Sequence, residues 1–491
     1  MTAVRLLLPQ DGLLRWHRAL AERLASDGHL VRVALRPRRG APTSLTQLIE
    51  TLEEWAQRRR RPAATLGEPP GAWCAADDCE ADLAFDLTGS VEAEPGAIVP
   101  FYDGAAGDAA RDAAVLDGRA PWIELVATGD DGPRVCASAL PALPSRDRLL
   151  AGRADIAAVL TALIRALARR GPGEAPPIRP RAAAPTRSAL ARTAASFSDL
   201  IARRMRRLVV NDGHWRVGLR RRAPGESPFA GLDRLEDPGW RWFKDDRRRY
   251  FADPFLFEEG GVDYVFCEEF PYATGKGVIS VFAVDESGNP GPPSVVLERP
   301  YHLSYPLVFR HGRQIWMMPE SGQNRTLELY RAERFPDRWT LDRVLISGAD
   351  IGDATPFAWR GQWWLTATTG ETIGSTWDSL RLYSGPGPLG PWTPAIDGPA
   401  LIDASAARPA GLVFEHEGAL FRPVQDCRAG YGSGLAFCRI DALAPGEFRQ
   451  TPIRRFAPAG GLHTFNMNDR FVAIDAAGSP TRAGWLESFG E

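Results

Sequence analysis

The sequence predicts a multidomain protein in which an N-terminal α/β domain precedes a five-bladed β-propeller. Two observations carry this prediction: strands alternate with amphipathic helices along the first 150 residues, and a similar unit recurs five times after residue 252. Between them lies a Pro/Ala/Arg-rich stretch that cannot bury enough apolar surface to fold alone. We therefore place an α/β domain at residues 1–170, a basic linker and helix at 171–240, and the propeller at 241–491.

The chain of 491 residues is too long for one ordinary core. Its 59 basic and 61 acidic residues nearly cancel, so no net field attracts polyanions and nucleic acid is not an expected partner. The basic stretch Arg179–Arg222 is either a solvated helix face or linker, or a peripheral docking surface for anionic lipid or polymer. The apolar run Met1–Pro9 is too short for a signal peptide or a transmembrane segment, which favours a cytoplasmic protein.

No residue spacing requires a metal. The six cysteines contain no metal-type CxxC pair, and we expect free thiols in a cytoplasmic chain. No cofactor is therefore predicted. A calcium ion in the propeller channel stays open as an alternative where carboxylates converge.

The N-terminal elements predict a parallel sheet with helical crossovers. We predict buried strands at Val4–Leu8 and Val31–Leu35, and a helix between them at Leu14–Ala25. Ser44 and Gln47 have the spacing of a capping box at the start of the next helix. Later elements are strands at 83–87 and 97–101 and an amphipathic helix with its apolar face at 156–167.

The propeller is predicted from a repeat of an apolar strand, a tight turn and a second strand. The turns lie at Gly261, Gly312, Gly361, Gly418 and Asp469, which are separated by 51, 49, 57 and 51 residues. These separations match the length of a four-stranded propeller blade. One blade alone would expose an apolar face, so five such units are expected to close into a ring.

Polar residues occur just before the first apolar run of every repeat, where the innermost strand of a blade meets the channel mouth. They are Asp253, His302 with Ser304, Asp353, Arg408 and His463. The ends of the second strands add Glu268 and Glu269, Glu320, and Gln425 with Asp426. Charges that point into a shared funnel cost desolvation unless a ligand or partner compensates, which favours a functional site.

This set suits chemistry on a sugar, because paired carboxylates can act as acid, base or stabiliser of an oxocarbenium-like transition state. We predict Asp253, Glu320 and Asp353 as catalytic residues. The predicted substrate-binding residues are Glu269, His302, Ser304, Arg408, Gln425, Asp426 and His463. Arg408 can bind a phosphate or carboxylate, or instead form a buried ion pair with Asp353 or Asp426. His302 and His463 can contact the ligand, or serve as structural histidines.

Several motifs resemble the N-terminal, propeller-like region of plant glucosamine inositolphosphorylceramide transferases and their bacterial relatives. These motifs occur in the same order at 252–255, 302–306, 318–321, 407–409 and 425–427, and the resemblance extends over 251–475. More distantly, Ala252-Asp253-Pro254 resembles the first-blade motif of arabinanases and xylosidases, which implies that Asp253 is a general base. The further carboxylates that those hydrolases need match less well here.

The first domain resembles, in architecture, the folate-dependent formyltransferase fold that accompanies such propellers. That family implies a histidine after a Gly-containing strand, but the corresponding stretch 95–104 has none. Because formyl transfer needs a general acid and base at the carbonyl, we expect a degenerate domain without formyl transfer.

The sequence therefore favours a carbohydrate-active, glycosyltransferase-like protein of glycan or glycoconjugate biosynthesis that acts on an activated or phosphorylated sugar. Two alternatives stay open. One is a glycoside hydrolase that uses Asp253 with Glu320 or Asp353, and the other is a non-catalytic sugar-binding or scaffold protein.

Overall fold

The computed structural model describes residues 2–37, 46–47, 49–51, 53, 81–90, 92, 94–129, 132–145, 148–171, 214–244, 246–370, 375–458 and 461–478. The chain divides into two compact units, Met1–Ala202 with Asp397–Asp403, and Arg203–Ile396 with Ala404–Glu491. Of the helix predicted from Ser44, the described residues 46–47, 49–51 and 53 are helical, whereas Ser44 itself and most of the basic stretch 179–222 lie outside the described residues. Among the helices that are described, none combines the length and apolar character needed to cross a bilayer.

The first unit is a mixed sheet with helices. Its elements are β1 Ala3–Pro9, α1 Arg15–Ser26, β2 Leu30–Arg36, β3 Leu83–Asp86, β4 Ile98–Tyr102, β5 Ala105–Ala106, α2 Asp108–Leu116, β6 Ile123–Ala127, β7 Arg134–Ala139 and α3 Leu149–Arg170. The strand order is β2-β1-β3-β4-β6-β7, with β5 beside β4.

The predicted parallel sheet is present only in part. Strands β1 to β4 pair in parallel, whereas β4, β6 and β7 pair antiparallel. The short connection between β6 and β7 explains why these two strands are antiparallel, because a few residues can join antiparallel strands but not parallel ones. Helix α3 buries Ile156, Leu160 and Ile164 in the same apolar core as Leu6 and Leu8 of β1, as its periodicity predicts.

The second unit is a five-bladed propeller. Its strands are β8 His214–Arg221, β9 Trp240–Trp242, β10 Arg249–Glu259, β11 Val262–Pro271, β12 Val278–Val284, β13 Ser294–Leu297, β14 Ser304–His311, β15 Gln314–Ser321, β16 Thr326–Arg334, β17 Arg338–Ser347, β18 Ile351–Trp359, β19 Gln362–Thr369, β20 Ser379–Gly385, β21 Thr393–Pro394, β23 Phe414–His416, β24 Ala419–Gln425, β25 Leu435–Ala444, β26 Glu447–Phe456, β27 Leu462–Met467 and β28 Phe471–Gly478. A 3-10 helix lies at Gly322–Asn324, whereas the short strand β22 Leu401–Ile402 belongs to the Asp397–Asp403 segment of the first unit.

Each blade is an antiparallel sheet built on a path of four strands. In the described residues, blades 1 to 4 use β10 to β13, β14 to β17, β18 to β21 and β23 to β26 in sequence order. Three of the inner hairpins turn at Gly260-Gly261, Arg360-Gly361 and Glu417-Gly418, where both central residues have positive φ. Such turns match the twist of the flanking strands and favour glycine, which explains the regular glycine of the repeat.

The fifth blade joins two distant parts of the chain, in the order β27-β28-β8-β9. Strand β28 pairs with β8 over eight residues, from Phe471↔Arg221 to Gly478↔His214. Strand β8 and the first residue of β9 fall inside the predicted linker 171–240, so the propeller begins before residue 241. This pairing places the segment from His214 in the propeller.

We expect the closure of the ring by β8 to be a main source of propeller stability. Val217 of β8 is fully buried and packs against Phe251 and Ala473, whereas Val295 of β13 is 50% exposed. Val217→Ala should lower the free energy of unfolding by about 2 kcal/mol, because it leaves a cavity. Val295→Ala removes the same atoms from an exposed site and should change the free energy of unfolding by less than about 0.5 kcal/mol. Equal effects in urea unfolding would contradict this role of β8.

Candidate functional site at the propeller mouth

Bulges in the innermost strands turn side chains toward the channel. The pairing register shifts after Ala252 in β10, after Ser304 in β14 and after Gly352 in β18. The next residue in each strand has a left-handed backbone: Asp253 at φ 51°, Tyr305 at φ 46° and Asp353 at φ 50°. Such conformations are rare outside glycine and concentrate at functional sites. The position in blade 2 that corresponds to Asp253 is therefore Tyr305, and not His302 or Ser304.

Asp253 is held by two neighbouring blades. Its backbone N–H donates to Oδ2 of Asp475 at 2.8 Å, and its Oδ2 accepts from the backbone N–H of Tyr305 at 3.1 Å. Its Oδ1 accepts from Oγ1 of Thr464 at 2.7 Å and lies 3.4 Å from Nε2 of His463. Both carboxylate oxygens are thus engaged, which suits an orienting group better than a base that must bind water.

His463 forms a buried acid–imidazole cluster with Asp253 and Asp475. Its Nδ1 lies 2.7 Å from Oδ1 of Asp475. Burial alone would lower the pKa of His463, but the adjacent Asp475 and Asp253 carboxylates raise it above its usual value. Burial raises the pKa of Asp253, the cation on His463 opposes that rise, and Asp475 adds to it. The raised pKa favours the positively charged imidazole on this side of the mouth.

Arg408 forms the second cationic centre. Its Nε lies 2.6 Å from Oδ2 of Asp353, and one of its terminal nitrogens lies 3.6 Å from Oε2 of Glu320. The same Glu320 oxygen accepts from the backbone N–H of Asp353 at 3.1 Å, and the Gln425 amide donates to Asp353 at 3.4 Å. Burial raises the pKa of Asp353 well above its usual range, although Arg408 opposes that rise. The ion-pair alternative for Arg408 is thus realised with Asp353.

Glu268, at the end of β11, is the carboxyl group most suited to donate a proton. Its Oε1 lies 3.4 Å from Nε2 of His302 and 3.5 Å from the Tyr250 hydroxyl. Nδ1 of His302 accepts from the backbone N–H of Gly277 at 3.0 Å, so the ring proton of the neutral imidazole is on Nε2, facing Glu268. Burial, reinforced by the charge of Asp253, raises the pKa of Glu268 well above its usual range. Burial lowers the pKa of His302, which favours the neutral ring.

Two predicted binding residues point away from the mouth. Glu269 pairs with Arg249 at 2.6 Å, whereas its neighbour Glu268 faces the channel. Asp426 pairs with Arg428 at 2.6 Å and with Arg455 at 3.0 Å. Adjacent residues of a strand face opposite sides, so a pair of polar residues at a strand end supplies only one group to the channel.

Asp475 and Tyr305 belong to the site but were not among the predicted site residues. Asp475 lies in the second strand of the fifth repeat, six residues after the turn at Asp469, whereas Glu268, Glu320 and Gln425 follow their turns by seven or eight residues. A search for an acidic residue near the end of every second strand, rather than at one fixed offset, would have found it. Tyr305 carries no such signal, because its ring and left-handed backbone are set by the bulge.

Tyr305 also forms the floor of the site. Its hydroxyl lies 2.9 Å from Oγ1 of Thr355 and accepts from the backbone N–H of Gly411 at 2.7 Å. Its ring packs with Phe255 and Leu307 in a buried apolar cluster. Apolar side chains therefore adjoin the polar cluster, and we expect a ligand to approach from the mouth.

Calcium fits this cluster poorly. Asp253, His463 and Asp475 could bring three donor atoms within 4.8 Å of one another. Calcium prefers six to eight oxygen ligands, whereas this group offers an imidazole nitrogen and carboxylate oxygens already used by backbone N–H groups. No step proposed below depends on a metal.

Comparison with known proteins confirms the resemblance of the propeller region. Residues 245–463 match the profile of the family described as glucosamine inositolphosphorylceramide transferase 1, N-terminal. The transferase of that name from Oryza sativa subsp. japonica is 35% identical over 208 residues, which are 42% of this chain and 28% of the rice protein. The Arabidopsis thaliana protein is 29% identical over 265 residues, 50% of this chain and 34% of its own length. The chain thus spans only about a third of these relatives.

Solved structures give a weaker match. Zg3597, a family 117 glycoside hydrolase of Zobellia galactanivorans, has a TM-score of 0.35 at 11% identity and covers 56% of this chain and 98% of its own. CoXyl43, a β-xylosidase/α-arabinofuranosidase from a compost metagenome, has a TM-score of 0.34 at 12% identity, with 48% and 91% covered. The formyltransferase-like character of the first unit stays a prediction.

The raised pKa of Glu268 predicts a pH-dependent effect on stability. A group whose pKa is higher in the folded than in the unfolded state stabilises the fold fully when the pH is below its unfolded-state pKa. This stabilisation is lost as the pH rises through the folded-state pKa. Glutamine cannot ionise, so Glu268→Gln should gain stability relative to the wild type as pH rises from 4 to 8. Urea unfolding across this range measures the difference.

Glu269→Gln is the matched control, since it makes the same change one residue along β11. It removes the buried partner of Arg249 and should lower the free energy of unfolding by about 2 kcal/mol at pH 7. If the free energy of unfolding of Glu268→Gln instead fell relative to that of the wild type as the pH rises, this result would contradict a raised pKa for Glu268.

Proposed function

We propose that the propeller mouth binds a carbohydrate, and that the protein acts in glycan or glycoconjugate biosynthesis as a glycosyltransferase-like enzyme. The observation that carries this proposal is the convergence of carboxyl groups from four blades at the propeller mouth. They are Asp253, Glu268, Glu320, Asp353 and Asp475. The match of residues 245–463 to a transferase family supports the biosynthetic direction.

The charge balance suits sugar hydroxyls or an amino group better than a phosphate. Five carboxyl groups face two cations, Arg408 and His463, and both cations already have carboxylate partners. An anion at this position would meet excess negative charge. The phosphate of an activated sugar would therefore bind outside the carboxylate ring, with the sugar ring inside it.

Glu268 and Glu320 have the environments required for a proton donor and a proton acceptor. Glu268 is buried with a raised pKa, which favours the protonated form that can donate to a leaving group. The Glu320 side chain is 21% exposed, and its Oε2 is fixed by Asp353, which leaves Oε1 for an acceptor hydroxyl. Asp353 orients Glu320 through its backbone N–H, whereas Asp253 is itself held by Thr464 and Tyr305.

Glycoside hydrolysis is the second candidate. It needs the same two features, a protonated carboxyl group and a second carboxylate across the sugar, with water replacing the acceptor hydroxyl. The buried Glu268 and the more exposed Glu320 could serve either reaction. Only the acceptor distinguishes them.

Glu320→Gln should lower turnover at least about 100-fold, because it removes the proton acceptor but keeps the shape of the side chain. Wild type and variant would be assayed with nucleotide sugars plus a glycan acceptor, and with chromogenic arabinosides and xylosides. Transfer by the wild type would support the first candidate, and release of the chromophore would support the second.

Glu298→Gln is the matched control, since Glu298 is exposed and pairs with Lys276 on the propeller surface. It should keep full activity. A wild type that binds saccharide but turns over none of these substrates would instead indicate a non-catalytic sugar-binding protein.

A further inference from the structure

Two aromatic side chains from different blades lie side by side at the rim of the mouth. Tyr431, between β24 and β25, is 38% exposed, and half-buried Trp377 precedes β20. Their ring centroids are 5.7 Å apart, with 43° between the planes. The Tyr431 ring also contacts His463 edge-on at 5.4 Å, which places the pair directly beside the carboxylate cluster.

The loop that carries Tyr431 is built from glycines that bring it over the mouth. Gly430 and Gly432 have φ of 130° and 60°, which L side chains rarely adopt. A Cβ on Gly432 would come within 2.6 Å of the Trp215 ring, and one on Gly434 within 2.9 Å of the Phe456 carbonyl oxygen. This conformation therefore depends on the sequence Gly-Tyr-Gly-Ser-Gly at 430–434.

Asp426 anchors the same loop. Its backbone N–H donates to the Gly434 carbonyl at 2.7 Å, and its own carbonyl accepts from the Ser433 hydroxyl at 2.6 Å. Its carboxylate is fixed by Arg428 and Arg455. Asp426, predicted from sequence to bind substrate, thus positions Tyr431.

Arg408 joins the two aromatic residues to the polar cluster. Its guanidinium carbon lies 5.0 Å from the centre of the Tyr431 ring, a cation–π distance. The same guanidinium donates to the Thr376 hydroxyl at 3.1 Å, next to Trp377. The pair is therefore held in place before any ligand arrives, and ordering it on binding costs little.

We propose that Tyr431 and Trp377 form a second saccharide subsite, so that the ligand of the mouth contains at least two linked sugar rings. The C–H face of a sugar is apolar and packs on aromatic rings, whereas its hydroxyls need polar partners such as the carboxylates beside them. One ring lies over the carboxylates, and the next lies on the aromatic pair. This inference rests on the proposed function, because it concerns the same mouth.

The test uses the full chain on a glycan microarray that carries mono-, di- and tetrasaccharides of neutral and amino sugars. The wild type should bind di- and tetrasaccharides more tightly than monosaccharides. Tyr431→Ala and Trp377→Ala should each weaken oligosaccharide binding about tenfold and leave monosaccharide binding unchanged, since one aromatic contact is lost. Tyr431→Phe keeps the ring and should bind like the wild type.

Trp359→Ala is the matched control, because Trp359 lies at the opposite end of β18 from the mouth. It should leave binding unchanged, and thermal unfolding checks that every variant is folded. If folded Tyr431→Ala and Trp377→Ala bind oligosaccharides as tightly as the wild type, the second subsite is wrong but the proposed function stands. Equal loss of mono- and oligosaccharide binding would place the pair in the first subsite and also overturn the inference. A wild type that binds no saccharide would overturn both proposals.

Discussion

The pairing of β8 with β28 is the interaction on which the site depends. Strand β28 carries Asp475, and the adjacent β27 carries His463, so both need a complete fifth blade to hold them opposite Asp253 of blade 1. The chain segment before blade 1 supplies β8 and β9, which are the two outer strands of the fifth blade. A paired strand edge is also protected from pairing with other chains. Closure therefore serves both stability and the geometry of the mouth.

Closure brings together charges that would be costly to bury alone. The cost is limited because each cation has a carboxylate partner and most carboxylate oxygens accept hydrogen bonds from backbone or side chains. Burial, reinforced by the remaining negative charge, raises the pKa of Glu268 and of Asp353. A polar ligand with hydroxyl or amino groups can balance that excess, which ties the electrostatics of the mouth to its proposed carbohydrate.

Arg408 connects the different parts of this site. It neutralises Asp353, approaches Glu320, lies against Tyr431 and holds the residue next to Trp377. Its carbonyl accepts from the backbone N–H of Gln425, and the two carbonyls before it accept from the buried guanidinium of Arg422. A residue expected to bind an anion thus organises both the carboxylates and the aromatic rim.

The sequence by itself determined the repeat, the five blades and the set of strand ends that carry polar residues, because hairpin turns and alternating apolar residues are local properties. It also determined that Asp253, Asp353, Glu320, Arg408 and His463 would lie near one axis. Only the tertiary structure decided which neighbour in each polar pair faces the mouth, as with Glu268 rather than Glu269, because strand register sets the facing side. It also decided that β8 completes the fifth blade and that Tyr305 occupies the bulge, since both depend on contacts between residues far apart in the chain.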